Sequence, residues 1–148
     1  MGPMPTGIET APLREVRYEG VHCDLVLSQL SRSVVLLRIS GTDVGEFGEA
    51  PMNALDAWIS ESTPLQFFID ARNVRGASVS VSGDWAVWLV ARRGALRSVT
   101  MLTGSRLIQV TAEFVRRFSS LQEVMRISAD TLVFDAALAV ALSPGRES

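Results

Sequence analysis

Few residues in this chain could do chemistry, and their spacing argues against most of it. His22 is the only histidine, and Cys23 beside it is the only cysteine. Adjacent residues in a strand point to opposite faces, so this pair cannot close on one metal ion, and no metal or cofactor is expected. A lone thiol forms no intramolecular disulfide, and in an apolar strand it is expected to be buried and unreactive. A Ser-His-Asp triad would have to use His22 on an edge strand, and the chain has no nucleophile elbow. All 14 cationic side chains are arginine. The absence of lysine excludes a Walker A loop, a Schiff-base lysine and a lysine general base. An enzyme is not expected.

Two groups remain. Asp70 and Arg72 stand at the end of the apolar run Leu65-Gln-Phe-Phe-Ile-Asp-Ala71. They read either as a structural ion pair or as the polar groups of a ligand pocket, because open α/β sheets bind ligands beyond the C-terminal ends of their strands. The second group lies in Ser78-Val-Ser-Val-Ser-Gly83-Asp-Trp85. Ser82 precedes a helix expected to start near Ser82 or Asp84. Its hydroxyl could cap that helix. The same place would suit a phosphoserine, since a helix N-terminus favours negative charge. The glycines of Gly41-Thr-Asp-Val-Gly-Glu-Phe-Gly48 do not form a dinucleotide fingerprint, and Asp43, Glu46 and Glu49 would repel a pyrophosphate. That stretch is expected to be a plain strand-to-helix loop.

These residues must be positioned by elements that the hydrophobic pattern reveals. Short apolar strands are expected at 21–28, 34–40, 65–71, 99–103 and 124–128. Amphipathic helices follow the last four, the final one capped by Asp130 and ended by Pro144-Gly145. The first two strands read as an edge hairpin. Strand–helix alternation requires right-handed crossovers, which build a parallel sheet. The expected fold is therefore α/β: one mostly parallel five-stranded sheet, an antiparallel edge hairpin strand, and about four helices. Residues 1–19, with Pro3, Pro5 and Pro12, are expected as a flexible lead-in to a single domain over 20–143. Helical spacing assigns Met52, Leu55, Trp58 and Ile59 to one inward face, and Trp85, Trp88 and Leu89 to a second. It assigns Leu107, Val110, Thr111, Phe114 and Phe118 to a third, and Phe134, Leu138, Ala141 and Leu142 to a fourth. Phe68, Ile69, Leu102, Val110, Phe114, Phe134 and Leu138 are expected in the core.

Composition narrows the partners. The chain has 148 residues, 47% of them hydrophobic, and a net charge of -2. It is long enough for one real core and is not drawn to nucleic acid or acidic membranes. No apolar run approaches the length of a membrane helix, and the N-terminus lacks signal-peptide regions, so a cytoplasmic protein is expected.

The element order over about residues 20–142 resembles the STAS family, the sulfate-transporter and anti-sigma-factor-antagonist domains. The central strand Phe67-Phe-Ile-Asp-Ala71 running into Ser80-Val-Ser-Gly83 carries the resemblance. In that family an apolar strand ending in Asp leads to Asp-Ser-Ser-Gly at a helix start, and a partner kinase phosphorylates the serine before the glycine. That serine corresponds to Ser82 and the glycine to Gly83. The motif's Asp is Ser80 here, its first Ser is Val81, and the connecting loop is about two residues longer. The resemblance implies a non-enzymatic regulatory module with a protein partner, a kinase or anti-sigma factor. Ser80, Ser82, Gly83, Asp84 and Trp85 would form the phosphosite or contact. The alternative is a small-ligand or lipid-binding domain using the pocket at Asp70 and Arg72. Oligomeric state is left open.

Overall fold

In the computed structural model the described residues are 11–61, 64–118 and 120–143. Their apolar runs pair into one sheet of six strands in sequential order. They are β1 (Arg14–Glu19), β2 (Cys23–Ser31), β3 (Val34–Asp43), β4 (Leu65–Ala77), β5 (Leu96–Thr103) and β6 (Met125–Ser128). β1, β2 and β3 form an antiparallel meander, and β3 to β6 run parallel. The α/β class and mostly parallel sheet are as expected, but the strand number is six rather than five. The additional strand is β1, from the stretch expected as lead-in. It was hidden because it is a charged edge: only Val16 and Tyr18 pack on the core, while arginines and glutamates alternate with them. Residues 1–10 and the expected stop at Pro144-Gly145 lie outside the described residues.

Four helices follow β3, β4, β5 and β6: α1 (Ala50–Glu61), α2 (Val79–Arg92), α3 (Arg106–Phe118) and α4 (Thr131–Leu142). The sequential strand order decides where they go. Each parallel crossover steps the same way, so right-handedness puts α1, α2 and α3 on one face of the sheet. α4 follows the last strand and turns back over the other face. Two cores result. Phe67, Ile69, Val99, Leu55, Trp58, Trp88 and Leu89 belong to the first. Phe68, Leu102 and Leu36 meet Phe134 and Leu138 in the second, with the Phe68 and Phe134 rings edge to face at 5.8 Å.

β3 and β4 run on together beyond the ends expected for them. Register shifts after Arg38 and Gly41 let Ser40 face Asn73 and Asp43 face Ala77. Gly41 sits at φ +91, and a Cβ there would lie 2.3 Å from the His22 carbonyl oxygen, so only glycine fits this close approach. The Glu46 carboxylate accepts from the Val21 and His22 amides at 2.8 and 3.0 Å, tying the β1–β2 turn to the loop before α1.

α3 departs from its expected orientation. It buries Ile108, Ala112 and Val115. Leu107, Val110, Phe114 and Phe118 point outward and are 67, 62, 67 and 63% exposed. Val110 and Phe114 are therefore not core residues. The helix carries two apolar stripes, and the one with the smaller residues faces the sheet. Arg116 pins the rotation: it pairs with Glu113 at 2.9 Å and donates to the Met125 carbonyl of β6 at 3.4 Å.

Candidate functional site

The expected site residues divide between the two faces of the sheet. Ser80, Ser82, Gly83, Asp84 and Trp85 all lie in the first half of α2, which starts at Val79. The cap is Ser78: its Oγ accepts from the Val81 amide at 3.1 Å, while the Ser82 amide donates to the Ser78 carbonyl at 3.0 Å. Ser82 is thus one turn inside the helix and is not its cap. The earlier start follows from the long β4, which delivers the chain to Ser78 in extended conformation. Ser80, Gly83 and Asp84 are exposed, and Ser82 and Trp85 are half-buried. Trp85 packs edge to face on Trp88 at 5.7 Å between ring centres.

Beneath Ser82 lies a cavity of about 120 Å³ between the sheet and helices α2 and α3. Its wall includes Ile69, Trp85, Leu89, Met101, Ile108 and Ala112. The same cavity touches Ser82 from α2 and Thr111 from α3, so the two helices meet along this edge. At their C-terminal ends Arg93 donates to the Ser120 carbonyl at 3.3 Å. The outer surface here is apolar. Beside the α3 stripe, α2 exposes Val79, Val87 and Val90. Phe114 and Phe118 stack with ring centres 6.0 Å apart and 14° between planes. Helical spacing sets Arg106 and Arg117, both exposed, along one flank of that stripe.

The far side of α2 is held by charge, an arrangement invisible in the sequence. Asp56 of α1 accepts from Arg92 Nε and Nη2, both at 2.7 Å, and from Trp88 Nε1 at 2.9 Å. The Arg92 hydrogen bond is the main reason the Asp56 carboxyl titrates below its usual range; partial desolvation opposes it. Sequence spacing offers no signal for a pair 36 residues apart.

Asp70 and Arg72 lie on the opposite face, by α4. Arg72 Nε is 3.0 Å from Asp70, and its Nη2 is 3.7 Å from Asp135 of α4. Hydrogen bonding to Asp70 raises the guanidinium pKa. The two residues line different, adjoining surface hollows. The geometry is that of an ion-paired brace between β4 and α4.

Cys23 is buried, and desolvation, reinforced by Asp43, Glu46 and Asp24, pushes its thiol up to about 11. Such a thiol is a poor nucleophile near neutrality. His22 is exposed and contributes its backbone amide to the Glu46 clasp. Among the described residues no three His, Cys, Asp or Glu side chains gather as a metal site would need. Among the described residues, too, no helix is long and apolar enough to cross a membrane.

The meander, the three helices on one face and the closing α4 can be compared with solved structures. The fold is SpoIIAA-like. A protein of the DUF3478 family with a SpoIIAA-like fold, from Shewanella loihica PV-4, superposes with a TM-score of 0.59. The alignment covers 82% of this chain and 97% of that one at 13% identity. The anti-sigma factor antagonist SpoIIAA in its unphosphorylated form aligns over 78% of this chain and 96% of that one, at 17% identity and a TM-score of 0.47. No protein-family model matches the chain, and no curated protein does either. At such identities the likeness is one of fold, and it agrees with the STAS-like architecture expected from the strand–helix order.

Proposed function

We propose that this STAS-like domain is a non-enzymatic regulatory module that binds another protein along its α2–α3 edge. The observation that carries the reading is the exposed apolar stripe of α3. Leu107, Val110, Phe114 and Phe118 stand more than half exposed on one helix face. Four large side chains in a row, two of them stacked aromatics, form a patch that soluble proteins usually reserve for contact. Arg106 and Arg117 on its flank favour a partner with acidic residues beside its own apolar face.

Ser82 gives this edge a means of control. A phosphate there would bring a charge of about -1.5 to -2 to the border of an apolar contact and disfavour docking by desolvation. Ser80, Gly83, Asp84 and Trp85 would belong to the same contact. A kinase or an anti-sigma factor is the partner class that the family resemblance implies. The alternative, a ligand pocket at Asp70 and Arg72, has less support, because the two pair with each other and Arg72 also meets Asp135.

The test is affinity capture from the native host with four baits: wild type, Phe114→Glu, Ser82→Asp, and Val133→Glu on exposed α4 as control. The reading expects one protein held by wild type and Val133→Glu and lost with both Phe114→Glu and Ser82→Asp. An identical set of captured proteins on all four folded baits would overturn it.

A further inference from the structure

The cavity under α2 and α3 has a different chemistry from the outer stripe. We infer that it is a binding site for a small uncharged apolar group, about the size of an aromatic ring, entering at the C-terminal ends of the strands. The site does not depend on the partner reading.

Its walls are built for such an occupant. Ile69, Leu89, Ile108, Val115 and Met125 present only hydrocarbon or thioether to a space of about 120 Å³. A mostly apolar space of this order offers water few hydrogen-bond partners and has the size to take a benzene-sized molecule. The cavity has a structural origin. Leu37, Ile69 and Met101 lie in register across three parallel strands, on the face that helices should seal. Yet Met101 remains half-buried, although it lies in an inner strand. α3 turns its large residues outward and offers Ala112 to this space, while Ala71 and Ala77 are the small residues on the β4 side. The continuation of β4 past the end of β5 carries Val74 and Ala77 beyond Thr103, lengthening the wall at one side.

The border selects against charge. Asp43 is buried beside the opening, with its carboxylate accepting from the Gly45 amide at 3.0 Å. A carboxylate head on an incoming ligand would meet that negative charge. Ser82 and Thr111 add hydroxyls that can donate to or accept from a neutral polar end. The space lies between the sheet and two helices, and Val74, Ala77 and Ser82 line it at the C-terminal side of the strands. Apolar clefts with a few polar groups are where proteins hold small ligands.

The experiment uses toluene and benzoate as a matched neutral and anionic pair on the full chain. Toluene should raise the melting temperature and shift the methyl resonances of Ile69, Met101, Ile108 and Val115. Benzoate should bind at least tenfold more weakly. Ala112→Leu fills the space from α3, and should keep the fold while losing the toluene response. Should that variant fail to fold, the methyl shifts of the wild type still decide. Shifts confined to Leu107 and Val110 would place toluene on the outer stripe and overturn the inference. No shift up to the solubility limit, or an undiminished response in folded Ala112→Leu, would do the same.

Discussion

α3 and α4 both expose some of their apolar residues, but they place their aromatic rings on opposite sides. α4 buries Phe134, Leu138 and Ala141 against Phe68 and Leu102. α3 buries Ile108, Ala112 and Val115 and leaves Phe114 and Phe118 outside. The reason lies in their neighbours. α4 is the helix that covers its face of the sheet, so a ring as large as Phe134 packs on the side chains of Leu36, Phe68 and Leu102. α3 lies beside α2 over β4, β5 and β6, presents its smaller residues to the sheet, and is tied to β6 through Arg116. The comparison teaches that apolar spacing marks the faces that can be buried, but not which of them the fold buries. For Phe134 the cover is the chain's own sheet; for the outer stripe of α3 the proposed cover is a partner.

The largest expected effect breaks or keeps this contrast directly. Phe134→Ala should cost about 3–5 kcal/mol in urea unfolding, as a fully enclosed ring does. Phe114→Ala should cost less than about 1 kcal/mol, as an exposed residue does. Equal losses would mean that α3 is rotated from the orientation described.

The helix starts sharpen the contrast next. Asp130 caps α4 by accepting from the Leu132 and Val133 amides at 2.9 and 3.4 Å, as Ser78 caps α2. Asp130→Ala and Ser78→Ala should each cost about 0.5–2 kcal/mol. Ser82→Ala should fall below about 0.5 kcal/mol, since its hydroxyl is not the cap. A cost for Ser82→Ala equal to that of Ser78→Ala in thermal or urea unfolding would return the cap to Ser82.

A smaller effect concerns how the α1–α2 layer is held beside α3. The Asp56–Arg92 pair is partly exposed, so Asp56→Asn should cost about 1 kcal/mol or less at neutral pH. The sign of its pH dependence follows from the depressed Asp56 pKa. The stabilisation is present above the ordinary carboxylate range and fades as pH falls through the lower folded value. Urea midpoints of wild type and Asp56→Asn should therefore converge on acidification. A gap that stays constant down to pH 3 would show that the pair contributes no charge-dependent stability.

Much of the architecture was legible in the chain. The continuous apolar run of Leu65–Ala71 marked a strand covered on both faces, and the alternation with helices implied parallel crossovers. Asp130, Trp88, Leu89 and the α1 face of Leu55, Trp58 and Ile59 also matched expectation, because each is a local pattern with one dominant outcome. β1 was missed since an edge strand rich in charge has little hydrophobic signal. The start of α2 was misplaced because Ser78, Ser80 and Ser82 are equally good caps in isolation. The extended course of β4 alone singles out Ser78.

Hydrophobic periodicity and chain order by themselves determined the α/β class, the parallel core of the sheet and the existence of all four helices. These follow from short-range spacing and from the handedness of crossovers. Only the tertiary structure decided which of two apolar stripes α3 would bury, that Asp70 and Arg72 brace α4, that Asp56 reaches Arg92 across two helices, and that a cavity lies under Ser82. Each of these depends on the distance between elements far apart in sequence. Such distances are set by the packing of the whole sheet, which no local pattern encodes.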